Sequence, residues 1–207
     1  MSTTPDNKQA ETDQGPRERI LAASLKLFVE QGYFNTNVPD ISRESRCSVG
    51  SIYHHFLNKE EIASNLYRDG IQSFRKALSS SFSDKDPLET AVRKLVVAFL
   101  QFSEDHRQLS QYLWLARHDE FLSNKVTRPT TVGFDRLGRM LTRVLKSAVR
   151  KGEMPDLDAE VIWSIIFGIP LSFVRDWLEG LTRQTPAGAS AVIAEACISA
   201  LKGARIR

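Results

Sequence analysis

The sequence predicts an all-α protein: an N-terminal three-helix domain followed by a larger helical domain. Three observations lead there. Apolar residues recur at three- and four-residue spacing along most of the 207 residues. Alternating apolar–polar stretches and long β-branched runs, the marks of strands, do not appear. Clusters of Gly, Pro and Ser cut the pattern into pieces of helical length. With 42% hydrophobic residues the chain can bury one or two real cores. The expected division is a polar tail over residues 1–15, a small domain over 16–62 and the larger one over 63–207. No internal repeat is visible.

The tail has no hydrophobic periodicity. Its single cation, Lys8, faces Asp6, Glu11 and Asp13, so a role in gripping an anionic polymer is not expected of it. Pro16 stands where proline is favoured, near a helix start. Ile20, Ala23, Leu27 and Phe28 form the buried stripe of that first helix, and Gly32 suits a left-handed cap behind it.

The stretch from Thr36 to Lys59 is the most informative. Asn37 is a plausible N-cap, with Asp40 three residues on in a variant of the capping box. Pro39 falls in the first turn, where its missing N–H costs little. Val38, Ile41 and Ser45 then share one face of a short helix. Ser48 is a second N-cap, opening Val49-Gly50-Ser51-Ile52-Tyr53-His54-His55-Phe56. A short helix, a turn of about four residues and a second short helix is helix-turn-helix spacing. At about 100° per residue, Ile52 and Phe56 face inward. Gly50 and His54 face outward, with Ser51 and Tyr53 at the edges. Hydroxyls and imidazoles can bond base edges or phosphates, and a glycine admits a close backbone. A small helix with a merely solvated polar face fits the same pattern.

From about Arg17 to Leu66 the chain resembles the DNA-binding domain of TetR/AcrR-type transcriptional regulators. The matching residues are Ile20, Ala23, Phe28, Gly32, Tyr33, Thr36, Val38, Ile41, Ser48, Gly50, Ile52, Tyr53, His55, Phe56, Lys59 and Glu60. The resemblance implies a DNA interface built from Thr36, Arg46, Ser48, Val49, Gly50, Ser51, Tyr53, His54 and Lys59, with Thr36 and Lys59 clamping phosphates on either side. The departures are specific. Ser45 and Arg46 stand where the family has a small residue and then glycine, and Cys47 where it has an apolar turn residue. Val49 replaces a common lysine, which removes a phosphate contact or offers contact to a thymine methyl.

Beyond Lys59 the expected helices cover residues 59–80, 88–105, 107–117, 130–151, 158–181 and 186–202. The helix from Asp158 is apolar nearly all round over residues 161–174, so it must be covered on most sides. Pro170 inside it should produce a kink. The resemblance implies dimerisation through the last two long helices. Phe173, Trp177, Val192 and Ala196 are the candidate interface residues, with Ile193, Ile198 and Leu201 packing alongside. It also implies a small-molecule effector site in the middle of the chain. Phe99, Phe102, His106, Trp114, His118, Phe121, Phe134, Trp163 and Phe167 are the candidate lining, although aromatics at helical spacing also serve simply as core.

Charge and chemistry bound the alternatives. The net charge is +3, and between Arg17 and Glu60 six cations (Arg17, Arg19, Lys26, Arg43, Arg46, Lys59) meet five carboxylates (Glu18, Glu30, Asp40, Glu44, Glu60). Binding must then rest on placed contacts and dimerisation rather than on bulk charge. Arg136, Arg139, Arg143, Lys146 and Arg150 form a basic row that reads as a solvated helix face, as an anionic-effector site or as an auxiliary surface. No nucleophile–base pair or metal-ligand spacing occurs, so neither catalysis, metal nor cofactor is expected. Cys47 and Cys197 fit a reduced compartment. No leader-like start and no apolar run near 18 residues suggest export or membrane insertion. The expectation is a cytoplasmic homodimeric regulator, more a repressor than an activator, bound to palindromic operator DNA and released by a small apolar effector. A DNA-binding dimer without a sensor, acting through a protein partner or as an activator, is the alternative.

Overall fold

A computed structural model describes residues 15–122 and 136–203, and within them all regular structure is helical. The tail, Phe134 and the start of the expected 130–151 helix lie outside the described residues. The chain divides into two compact units. Among the described residues, one holds 15–69 and 116–122 and the other holds 70–115 and 136–203.

In the first unit, α1 spans Pro16–Glu30, α2 Val38–Ser45 and α3 Val49–His55. Helix α4, Lys59–Ser81, contributes its residues 59–69. Gly32, at φ 87°, takes the left-handed turn after α1. The capping box at α2 is formed: the Asn37 side chain accepts from the Asp40 N–H at 2.9 Å, and Asp40 accepts from the Asn37 N–H at 3.3 Å. Ser48 caps α3 by accepting from the Ser51 N–H at 3.1 Å. Ile20, Ile41, Ile52 and Ile62 are fully buried at the centre, with Phe28, Phe56 and Leu66 around them. Cys47 packs as the small core residue expected.

The turn between α2 and α3 is stitched from three sides. Arg19 Nε donates to the Ser45 carbonyl at 3.4 Å, Ser42 Oγ to the Cys47 carbonyl at 2.6 Å, and the Cys47 N–H to Ser45 Oγ at 3.3 Å. Arg46 sits inside it at φ 56°, ψ 30°, the left-handed conformation that glycine adopts without penalty.

The second unit comprises the rest of α4 with α5 (Leu88–Asp105), α6 (Arg107–Leu115), α7 (Arg136–Arg150), α8 (Ala159–Leu178) and α9 (Pro186–Gly203). Its core runs through Leu78, Ala91, Val92, Leu95, Val96, Leu100, Leu141, Ile166, Val174, Ala194, Cys197 and Leu201. Helices α5 and α9 pair extensively. Ile193, Ile198 and Leu201 are buried in this core.

Helix α8 is not uniform. Residues Ser164–Gly168 form a π-helical segment directly ahead of Pro170. Widening by one residue per turn gives the proline ring the room that an α-helix denies it, so the expected disturbance takes the form of a bulge. In that register the N–H of residue 170 would bond the carbonyl of Ile165, and proline has none to give. The Cys197 thiol from α9 donates to that carbonyl at 3.4 Å. Ala159–Leu178 is, by length and composition, apolar enough to cross a membrane, contrary to the sequence expectation of no such run. Glu160, Arg175 and Asp176 lie near its ends and obscured it, while Ile162, Ile166, Pro170, Val174 and Leu178 turn one stripe into the unit's core.

Candidate nucleic-acid interface

Helix α3 is fixed from behind and open in front. Ile52 and Phe56 are 1% and 2% exposed, which anchors the element to α1 and α2; burying a side chain of that size stabilises by about 1.5–3 kcal/mol. Val49, Gly50, Tyr53 and His54 are exposed, and Ser51 is half-buried at the rim. His54 and His55 touch edge to face with centroids 5.2 Å apart. The outward set therefore presents an apolar contact, a phenol, an imidazole and a glycine on one helix of seven residues. Helical side chains with these groups can read base edges while the exposed Arg46 and Asn37 reach phosphates.

Two expected phosphate clamps do not fit their surroundings. Thr36 is buried, and its hydroxyl donates to the Gly32 carbonyl at 2.9 Å while accepting from Gln31 Nε2 at 3.3 Å. Its oxygen is committed to the exit of α1. Lys59 Nζ donates to the carbonyls of Tyr33 and Thr36 at 2.8 and 2.7 Å and lies 4.2 Å from the centre of the Tyr33 ring. Burial holds its pKa below the ordinary lysine value. Lys59 ties α4 to the α1–α2 connection instead of pointing outward. Next to Thr36, Asn37 is exposed and caps α2.

The expected effector residues divide between the two units. In the second, Phe99, Phe102, His106, Trp114, Trp163 and Phe167 are linked by ring contacts. Trp163 stacks on Phe167 at 4.8 Å, Phe167 approaches Phe99 at 6.3 Å, and Phe102 meets His106 at 4.6 Å. Phe74 joins them: it lies edge-on to Phe99 at 4.9 Å and to Trp114 at 5.2 Å. Phe74 is not among the lining residues expected from the sequence. His118 and Phe121 belong to the first unit. Phe121 stacks on Tyr33 at 4.1 Å and 11°, and His118 meets Tyr67 at 4.7 Å. The local chain here is a 3₁₀ turn, His118–Glu120, rather than a continuation of α6.

Of the candidate interface residues, Val192 and Ala196 are exposed on α9, and Phe173 and Trp177 are half-buried on α8. One face of Trp177 is occupied by the Arg107 guanidinium at 4.1 Å. In the basic row, Arg143 pairs with Asp84 at 2.6 Å. Among the described residues no group of three His, Cys, Asp or Glu could hold a metal ion.

Residues 20–66 match the family model for bacterial regulatory proteins of the tetR family. The transcriptional regulator SrpR of Pseudomonas putida is 26% identical over 86% of this chain and 82% of its own. The transcriptional repressor BepR of Brucella suis is 26% identical over 79% and 81%. A tetR-family regulatory protein from Rhodococcus RHA1 superposes with a TM-score of 0.76 over 93% of this chain and all of its own, at 18% identity, a likeness of fold. Over residues 20–66 the chain is similar to the TetR/AcrR-type regulators, and the relatives it matches over most of its length are transcriptional regulators, which supports a DNA-binding regulator rather than an enzyme.

Proposed function

We propose that this chain is a homodimeric repressor which grips a near-palindromic operator with two copies of α3 and releases it when a small apolar effector enters the second unit. The observation that carries the reading is α3 itself: buried through Ile52 and Phe56, exposed through Val49, Gly50, Tyr53 and His54. A seven-residue helix so displayed suits the major groove, with its first residues toward base edges.

Dimerisation has its own support. Val161, Ile169 and Val192 are exposed apolar residues on α8 and α9, and only 28% of the apolar stretch in α8 is buried within the chain. Exposed apolar helix surface of this kind is suited to cover by a partner, and a two-fold pair of α8–α9 hairpins would give a self-complementary four-helix contact. The two α3 helices would then address half-sites about 34 Å apart. The effector half rests on the aromatic cluster of the second unit. It gains support from the fatty acid metabolism regulator protein of Bacillus subtilis, 25% identical over 77% of this chain, and from the transcriptional regulator FadR of Bacillus subtilis, whose structure in complex with stearoyl-CoA shares the fold with a TM-score of 0.66. Binding changes operator affinity only as far as the effector prefers one dimer shape. This role places the protein in the cytoplasm beside DNA.

Selection of binding sites from random duplexes, followed by footprinting, tests the reading. It expects two protected half-sites of inverted sequence, one helical turn apart. His54→Ala should flatten preference at one base position in each half-site, by about 1–3 kcal/mol. Enriched sites without inverted symmetry, or protection unchanged in that variant, would reject the assignment.

A further inference from the structure

We infer that the effector is a neutral, largely apolar molecule carrying one oxygen acceptor, held by the indole N–H of Trp114 with the Ser110 hydroxyl beside it. The inference rests on the effector reading above and specifies its chemistry. Ser110 and Trp114 lie four residues apart on α6, so they share one face of that helix. Ser110 is fully buried and its Oγ has no hydrogen-bond partner; the Trp114 Nε1 atom is buried and equally unpartnered. Elsewhere in this unit buried hydroxyls are satisfied: Ser103 Oγ donates to the Phe99 carbonyl at 3.0 Å and Ser79 Oγ to the Lys76 carbonyl at 3.2 Å. Native interiors rarely leave two neighbouring polar atoms unpaired, and such a pair points to a ligand that completes it.

The surroundings define the rest of the molecule. The Trp114 ring lies edge-on to Phe74 at 5.2 Å and nearly parallel to Phe99 at 6.1 Å and 18°, with Phe102 next to Phe74 at 5.3 Å. These rings favour a flat or chain-like apolar body. Among the described residues of this unit no charged side chain is buried. An ionised ligand there would lose its hydration, which disfavours carboxylates and ammonium ions in the cluster. An indole N–H only donates, so the ligand must supply an acceptor: a carbonyl, ether or phenol oxygen.

The test uses three probes of one shape, 2-acetylnaphthalene, 2-ethylnaphthalene and 2-naphthoate, titrated calorimetrically into the full chain. The ketone should bind about tenfold tighter than the hydrocarbon, the weight of one net hydrogen bond, and the carboxylate weakest of the three. Trp114→Phe keeps the ring and should erase the ketone's advantage without weakening the hydrocarbon; Ser110→Ala should reduce that advantage. As a check that needs no variant, the Trp114 indole proton in ¹⁵N-tryptophan-labelled protein should move downfield with the ketone and not with the hydrocarbon. Equal binding of ketone and hydrocarbon, or an advantage that survives in Trp114→Phe, overturns the polar contact while the sensor reading stands. Binding of no probe overturns the site and with it the effector half of the proposed function, leaving DNA binding unaffected.

Discussion

Arg46 occupies the left-handed conformation at the one turn whose shape decides where α3 points. A side chain there costs roughly 1–2 kcal/mol relative to glycine, partly offset because glycine gives the unfolded chain more freedom. Arg46→Gly is therefore expected to raise stability by about 0.5–1 kcal/mol in chemical denaturation. If the exposed guanidinium meets a phosphate, the same change lowers the slope of log affinity against log salt by about one. Lys59 behaves in the opposite way. Lys59→Met keeps the stem but leaves the Tyr33 and Thr36 carbonyls without their donor. It should cost about 1–3 kcal/mol of stability and leave the salt slope unchanged. A reduced slope without loss of stability would return Lys59 to the interface. At this scale the sequence was legible where a residue's role is local. Ser48 and Asn37 cap the helices that follow them, as their spacing announces. The pairing of Lys59 was not legible, because its partners, the carbonyls of Tyr33 and Thr36, become neighbours only after the chain has turned on Gly32.

Elements were legible in proportion to how far their own residues determine them. Helix α5 begins after Pro87 and carries an apolar stripe without interruption, and its observed bounds coincide with the expected ones. Helix α8 shows the limit. Pro170 announces a disturbance, but whether it becomes a kink or a π-helical segment depends on what accepts the freed carbonyl. Here that is the Cys197 thiol, on a helix that packs against α8 only in the folded state. Burial pushes this thiol up to about 11. The folded pKa thus lies above the ordinary thiol value of 9.0, and the folded state holds the proton more firmly. The resulting stability is complete below pH 9 and is lost as pH rises toward about 11. Titration with a thiol reagent at pH 8 should find Cys197 inert until the unit unfolds. Rapid labelling under native conditions would show that α8 and α9 separate readily. The cap on α2 gives a second element-scale expectation: Asn37→Ala should cost about 1 kcal/mol.

For the whole molecule, the sequence conveyed the fold class because periodicity and breakers are local signals. It could not convey which distant segments meet. The turn at His118–Glu120 belongs to the first unit through Phe121 on Tyr33, 88 positions away in sequence (121 minus 33), and nothing in either stretch announces the other. Val192 and Ala196 remain on the uncovered side of α9. If a second copy covers them, Val192→Glu should convert dimers to monomers in light scattering while the helical circular dichroism is retained, because the substituted side chain is 73% exposed within its own chain. A protein that is monomeric before the substitution would remove the two-fold arrangement and the paired half-sites together.

The most direct test of the central claim, that α3 reads DNA with its outer face, is a fluorescence-anisotropy comparison of the wild-type chain with Tyr53→Ala/His54→Ala. Each is titrated against its selected duplex and against a scrambled one at fixed salt. Both side chains are exposed and the anchors Ile52 and Phe56 remain, so melting should be unchanged. The account predicts that the preference for the selected duplex falls by at least tenfold while affinity for the scrambled duplex is nearly retained. A double variant that keeps its full preference would contradict it.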